Sequence, residues 1–152
     1  MPLHRRRFLL LAAAVPTAAL TAGLAMAQTA KVYAEDGVAV DGTDVVAYFV
    51  QGKPVAGQSA FTHDWQGVTW RFANAANRDS FAADPARYAP QYGGFCAYAV
   101  SEGYTASTTP EAWKIVDGKL YLNYSRRVQR RWERDIPGRI ASADANWPAV
   151  LD

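Results

Sequence analysis

A pattern that recurs at a spacing of 51 residues constrains this chain more than its composition does. The first copy runs Gly67-Val68-Thr69-Trp70-Arg71-Phe72, then a polar stretch, Phe81 and Asp84-Pro85. The second runs Gly118-Lys119-Leu120-Tyr121-Leu122-Asn123, then a polar stretch, Trp132 and Asp135. Trp70 aligns with Tyr121, Phe81 with Trp132 and Asp84 with Asp135. One inserted residue, Ile136, then brings Pro85 onto Pro137 and Arg87 onto Arg139. Each copy reads as a hairpin that feeds a helix. Gln66-Gly67 and Asp117-Gly118 supply two-residue turns of the kind that needs positive φ at both positions. Asn74 and Ser125 are placed to cap the helices that follow, predicted over 74–83 and 126–134. Asp84-Pro85 and Ile136-Pro137 are predicted to stop them, because the residue before a proline is driven out of the helical region. Asp41 and Asp44 lie in a glycine-containing turn that caps a short segment from Val45 to Phe49. The expected fold is a small single α+β domain, with two hairpin–helix units around a central segment, Tyr92 to Val100, that contains Cys96.

The N-terminus reads as an export signal. Arg5, Arg6 and Arg7 form a basic start, an apolar run follows from Phe8 to about Leu24, and Ala25-Met26-Ala27 is a small-x-small cleavage site. Residues 1–27 are the expected leader and 28–152 the expected mature domain, periplasmic or secreted and not embedded in a membrane. Arg5-Arg6-Arg7-Phe8-Leu9 resembles the twin-arginine signal, which implies export in the folded state and the twin-arginine machinery as a partner. Loss of the three leader arginines takes the formal charge of the chain from +2 to −1. The remaining basic cluster, Arg126, Arg127, Arg130, Arg131 and Arg134, alternates with acids and reads as a solvated helix face, so no nucleic-acid partner is expected. His4 leaves with the leader, and His63 becomes the only histidine of the mature chain.

Cys96 is the only cysteine. In an exported protein a lone cysteine is a buried apolar residue, a metal ligand, a reactive thiol or half of an intermolecular bridge. As a ligand it pairs most naturally with His63, and one sulfur with one nitrogen suits copper or zinc. As a reactive thiol it would draw on the N–H groups of a helix starting near Phe95, and it would need an external thiol to resolve a sulfenic acid. As a wall residue it would border an aromatic pocket made from Tyr48, Trp70, Tyr92, Tyr98 and Tyr121, suited to a small organic ligand or a peptide. The chain has no phosphate-cradling glycine loop, no Gly-x-Ser-x-Gly, no His-Glu-x-x-His and no dinucleotide fingerprint. No catalytic set is assigned, and a binding protein is expected in preference to an enzyme.

Further residues carry a family resemblance. Asp44-Val45-Val46-Ala47-Tyr48-Phe49, the hairpin Gly67-x-x-Trp70-x-Phe72, and Asn77-Arg78-Asp79-x-Phe81-x-x-Asp84-Pro85-x-x-Tyr88 together resemble the YHS domain. The remainder, from Tyr92-Gly93-Gly94-Phe95-Cys96-Ala97 to Ala145-Asn146-Trp147-Pro148, is similar to secreted bacterial proteins that carry this domain. The resemblance implies a role in metal handling and makes Phe61-Thr62-His63 the counterpart of the Tyr-His-Ser motif. Metal-type members carry cysteines after the hairpin, whereas the matching positions here, Ala73 to Asn77, hold none.

Overall fold

Both hairpins form where the glycine turns predict them. The structure, a computed structural model, describes residues 30–152; the leader read at 1–27 lies outside them. In chain order the elements are β1 (Ala34–Glu35), β2 (Val38–Ala39), α1 (Val45–Val50), β3 (Gln58–Trp65), β4 (Val68–Phe72), α2 (Ala75–Ala83) and α3 (Pro85–Tyr88). They continue with α4 (Ala97–Ser101), β5 (Trp113–Val116), β6 (Lys119–Leu122), α5 (Arg126–Trp132) and α6 (Ile136–Asn146). The fold is α+β. One sheet has the order β1-β2-β4-β3, with β2 and β4 parallel and the other neighbours antiparallel, and β5 pairs with β6 in a second sheet. No helix among the described residues is long and apolar enough to cross a membrane.

The two turns are near copies. Gln66 and Gly67 have φ of 56° and 77°, and Asp117 and Gly118 have 50° and 74°, the double positive φ of a type I′ turn. The helix caps also repeat. Asn74 accepts the Asn77 N–H at 2.8 Å, and Ser125 accepts the Val128 N–H at 3.1 Å. The prolines act differently from the expectation. α2 does end at Ala83, but Pro85 and Pro137 then sit in the first turns of α3 and α6. A proline lacks an N–H that the first helical turn leaves unpaired anyway, so it starts a helix as readily as it stops one. Asp84 and Asp135 make the corner with almost the same backbone, φ/ψ of −152°/75° and −153°/70°.

The structural repeat extends further back than the hairpins. Val40, Asp41 and Gly42 form a run of three left-handed residues, with φ of 42°, 58° and 71°. Fifty-two positions later Tyr92, Gly93 and Gly94 form another, with φ of 58°, 62° and 84°. Each run closes on itself, Thr43 N–H to the Val40 carbonyl and Phe95 N–H to the Tyr92 carbonyl. Each is followed by an N-cap position and a short helix: Asp44, whose carboxylate caps α1, and Cys96, whose thiol makes no capping bond to α4. The repeated unit is therefore left-handed run, short helix, hairpin and helix.

Asp44 ties the first unit together. It is fully buried. One carboxylate oxygen accepts the Val46 and Ala47 N–H groups at 2.9 and 3.2 Å, capping α1. The other accepts the Ala73 N–H at 2.9 Å and the Asn77 side-chain amide at 2.8 Å, which joins the end of β4 to α2.

Two cores lie on either side of the second hairpin. The first contains Val45, Val46, Tyr48, Trp70, Phe72 and Phe81, and Leu120 and Leu122 of β6 pack into it. The second contains Tyr92, Ala97, Val100, Trp132 and Ala143, and Tyr121 of β6 packs into that. Strand residues alternate between faces, so β6 is buried on both. The equivalents of Leu120 and Leu122 in the first unit are Thr69 and Arg71, which face a less covered side. The aromatic pairs of the repeat are conserved in geometry: Trp70 and Phe81 are 5.0 Å apart and tilted by 32°, Tyr121 and Trp132 are 5.4 Å apart and tilted by 36°.

Asp44→Ala would leave four donors without their acceptor, three of them in a buried site. The unfolding free energy from urea titration is expected to drop by about 3–5 kcal/mol, against about 1 kcal/mol for Ser125→Ala, which removes a half-buried cap. Equal losses for the two variants would contradict the tying role of Asp44.

Candidate functional site

Cys96 occupies in the second unit the position of Asp44 in the first. Its backbone N–H reaches the Ala106 carbonyl at 3.0 Å, as that of Asp44 reaches the Val55 carbonyl at 2.9 Å. Its sulfur accepts the Tyr124 N–H at 3.2 Å, the counterpart of the Ala73 N–H on Asp44. The thiol lies 3.6 Å from Asn123 Oδ1, which also accepts the Tyr98 N–H at 3.1 Å. Asn123 is fully buried, and its Nδ2 has no partner among the described residues.

The thiol is 1% exposed. Burial pushes its pKa up, and the N–H groups of Ala99, Tyr124 and Tyr98 only partly oppose this. The helix start expected near Phe95 is present, yet desolvation outweighs its donors. The sulfur is thus a protonated, buried, hydrogen-bonded thiol.

His63 lies on β3 opposite Trp70, with its ring 6.0 Å from that of Phe81 in the first unit. The hydrogen-bond partners of Cys96 all belong to the second unit, and His63 is not among them. Among the described residues no group of three or more His, Cys, Asp or Glu side chains is arranged to hold a metal ion.

The five aromatic candidates are distributed over the molecule. Tyr48 is in the first core, with its hydroxyl on the Pro110 carbonyl at 2.7 Å and its ring against Trp113. Tyr92 and Tyr121 meet in the second core, their rings 6.0 Å apart and tilted by 54°, and the Tyr92 hydroxyl donates to Asp144 at 2.8 Å. Tyr98 is half-buried beneath the Arg139 guanidinium, 4.3 Å from its ring centre. Trp70 borders a cavity.

That cavity has a volume of about 300 Å³ and is lined by Lys31, Val32, Trp65, Gln66, Trp70, Ala89, Pro90, Gly93, Trp147 and Pro148. Four sequence-distant segments build it: Lys31 and Val32 before β1, the first hairpin around its turn, the link after α3, and the chain after α6. Trp65 and Trp70 pack with ring centres 5.8 Å apart, and the Trp70 indole donates to the Trp65 carbonyl at 3.0 Å. Gly93 is required here. A Cβ at this left-handed position would run into the Lys31 carbonyl. Trp65 and Trp147 were not among the sequence candidates. The Trp65-Gln66-Gly67 turn and the Trp147-Pro148 pair are visible in the sequence, but nothing local says that they meet. No family model, no curated protein and no solved structure matches the chain.

The raised thiol pKa has a sign. The folded state holds the proton of Cys96 more tightly than the unfolded chain, so its contribution is complete below the unfolded thiol pKa of ~8.5 and fades as pH rises through the folded value. Buried Tyr48, Tyr92 and Tyr121 are also shifted upward by desolvation and act the same way from ~10. Urea midpoints are expected to decline from about pH 8.5 in the wild type and only from about pH 10 in Cys96→Ala. Superimposable pH profiles would contradict this.

Proposed function

We propose that this chain is an exported, YHS-like binding module that holds a small ligand in the tryptophan-lined cavity. The observation that carries the reading is the cavity wall. Three indoles, two prolines and a valine supply an apolar surface, and Lys31 and Gln66 are the polar side chains among its residues. Small-ligand sites typically have this make-up, a mostly apolar wall with a few polar groups that set orientation, and volumes from ~300 Å³ upward. Lys31 disfavours a cationic guest in the cage. The ligand class that suits these groups is a flat or aromatic body with a carboxylate or another hydrogen-bond acceptor. A metal-handling or thiol-dependent role is less well supported, because Cys96 would have to leave a buried site and its N–H partner to act.

The mature chain, residues 28–152, titrated with small aromatic carboxylates from benzoate to indole-3-acetate, is expected to show saturable quenching of tryptophan fluorescence. A ligand at a hundred times its Kd adds ~2.7 kcal/mol to stability, enough to raise Tm by several degrees. Trp147→Ala is expected to weaken binding by about tenfold or more, and Lys31→Met to reduce the preference for carboxylates over their amides. Absence of quenching and of any Tm shift across the set would refute the pocket.

Export is tested separately. Replacing Arg5 and Arg6 by lysine keeps the charge of the leader but removes the paired arginines. The full chain is then expected to accumulate unprocessed inside the cell, whereas efficient processing of this variant would rule out the twin-arginine route.

A further inference from the structure

The geometry points to a second site, specific for a phosphate group, in a groove between α4 and the corner that joins α5 to α6. The groove has a volume of about 590 Å³ and is bordered by Tyr98, Arg131, Arg134, Arg139 and Ser142, with Asp135 and Gly138 at the corner. Three guanidinium groups therefore face one space. Its acids are already engaged. The Asp135 carboxylate accepts the Gly138 N–H at 3.1 Å as the cap of α6, and Glu102 beside the groove is ion-paired with Arg139.

The arginines have two distinct states. Arg139 is fixed: besides Glu102 it donates to Ser101 Oγ at 3.1 Å and lies over the Tyr98 ring. Arg131 and Arg134 make no ion pair and no side-chain hydrogen bond among the described residues. A held guanidinium next to two uncommitted ones is an arrangement that wants a multiply charged oxyanion, since each planar fork can donate two parallel hydrogen bonds. The Ser142 hydroxyl supplies a further donor. The basic cluster of the sequence is thus divided. Arg131 and Arg134 border the groove, and Arg126 and Arg130 do not. The residues of the groove carry three positive charges against one negative although the mature chain carries a net charge of −1, which favours encounter with anions at this face.

A phosphate group could be presented by a soluble phosphate compound or by a phosphomonoester lipid headgroup, and one experiment separates them. The mature chain is titrated calorimetrically with pyrophosphate, and in parallel its co-sedimentation is measured with phosphatidylcholine vesicles with and without a fifth of phosphatidic acid. Saturable binding in either arm, weakened by about tenfold or more in Arg131→Ala/Arg134→Ala and unchanged in Arg126→Ala/Arg130→Ala, supports the site. Binding in the pyrophosphate arm identifies a soluble source, and binding in the vesicle arm alone identifies a headgroup. Equal weakening by both double variants would mean a diffuse basic face and would overturn the proposal, as would no binding in either arm. All four arginines are exposed, so the variants are expected to fold, and an unchanged Tm verifies it. Trp147→Ala leaves this binding intact, which keeps the result independent of the tryptophan cavity.

Discussion

The contact between Val40 and Gly94 sets how the two halves of the molecule meet. Both residues belong to left-handed runs, and a Cβ at Gly94 would lie 2.5 Å from Val40 Cγ1. Only glycine lets the runs approach this closely, and at a φ of +84° it also meets no penalty for the backbone. Val40 itself is β-branched at positive φ, a conformation that costs energy and that must be held by its surroundings. Those surroundings are the segment Lys31 to Tyr33 before β1, whose Tyr33 carbonyl takes the Val40 N–H and whose Tyr33 N–H donates to the Gly93 carbonyl. The tryptophan cavity opens beside this joint, with Lys31, Val32 and Gly93 all in its wall.

The legible part of the fold was the part written in short stretches of sequence. Gln66-Gly67 and Asp117-Gly118 specify their turns by φ alone, and Asn74 and Ser125 specify helix starts by one side-chain oxygen each. The 51-residue echo was readable because Trp70, Phe81, Tyr121 and Trp132 keep their spacing. The earlier half of each unit was not, because Val40-Asp41-Gly42 and Tyr92-Gly93-Gly94 share a backbone path but only one residue type. The equivalence of Asp44 and Cys96 was hidden for the same reason. The cavities were out of reach for a different one. Trp65 and Trp147 are 82 positions apart, and a wall made from two such residues exists only after the chain has returned on itself.

Asp44 and Cys96 show how one backbone arrangement accommodates different chemistry. Both sit at the start of a short helix and both receive the N–H that follows the second strand of the unit. The carboxylate has two oxygens and fills four donors. The thiol is a weaker acceptor, and Asn123 takes over the Tyr98 N–H in its place. Phe72 is the residue equivalent to Asn123 in the first unit, where the carboxylate leaves no such work to do and the position goes to the core.

The second hairpin is a wall common to both cores, with Leu120 and Leu122 on one side and Tyr121 on the other. A duplicated chain is often thought of as two modules, each able to stand alone. Here the first unit by itself would present an open apolar face where β6 should lie, and the second would present the other side of the same strand. Neither unit therefore covers its own core without the other. Leucines in β6 where β4 has Thr69 and Arg71 are what let one strand serve both cores, so the two units are expected to unfold together.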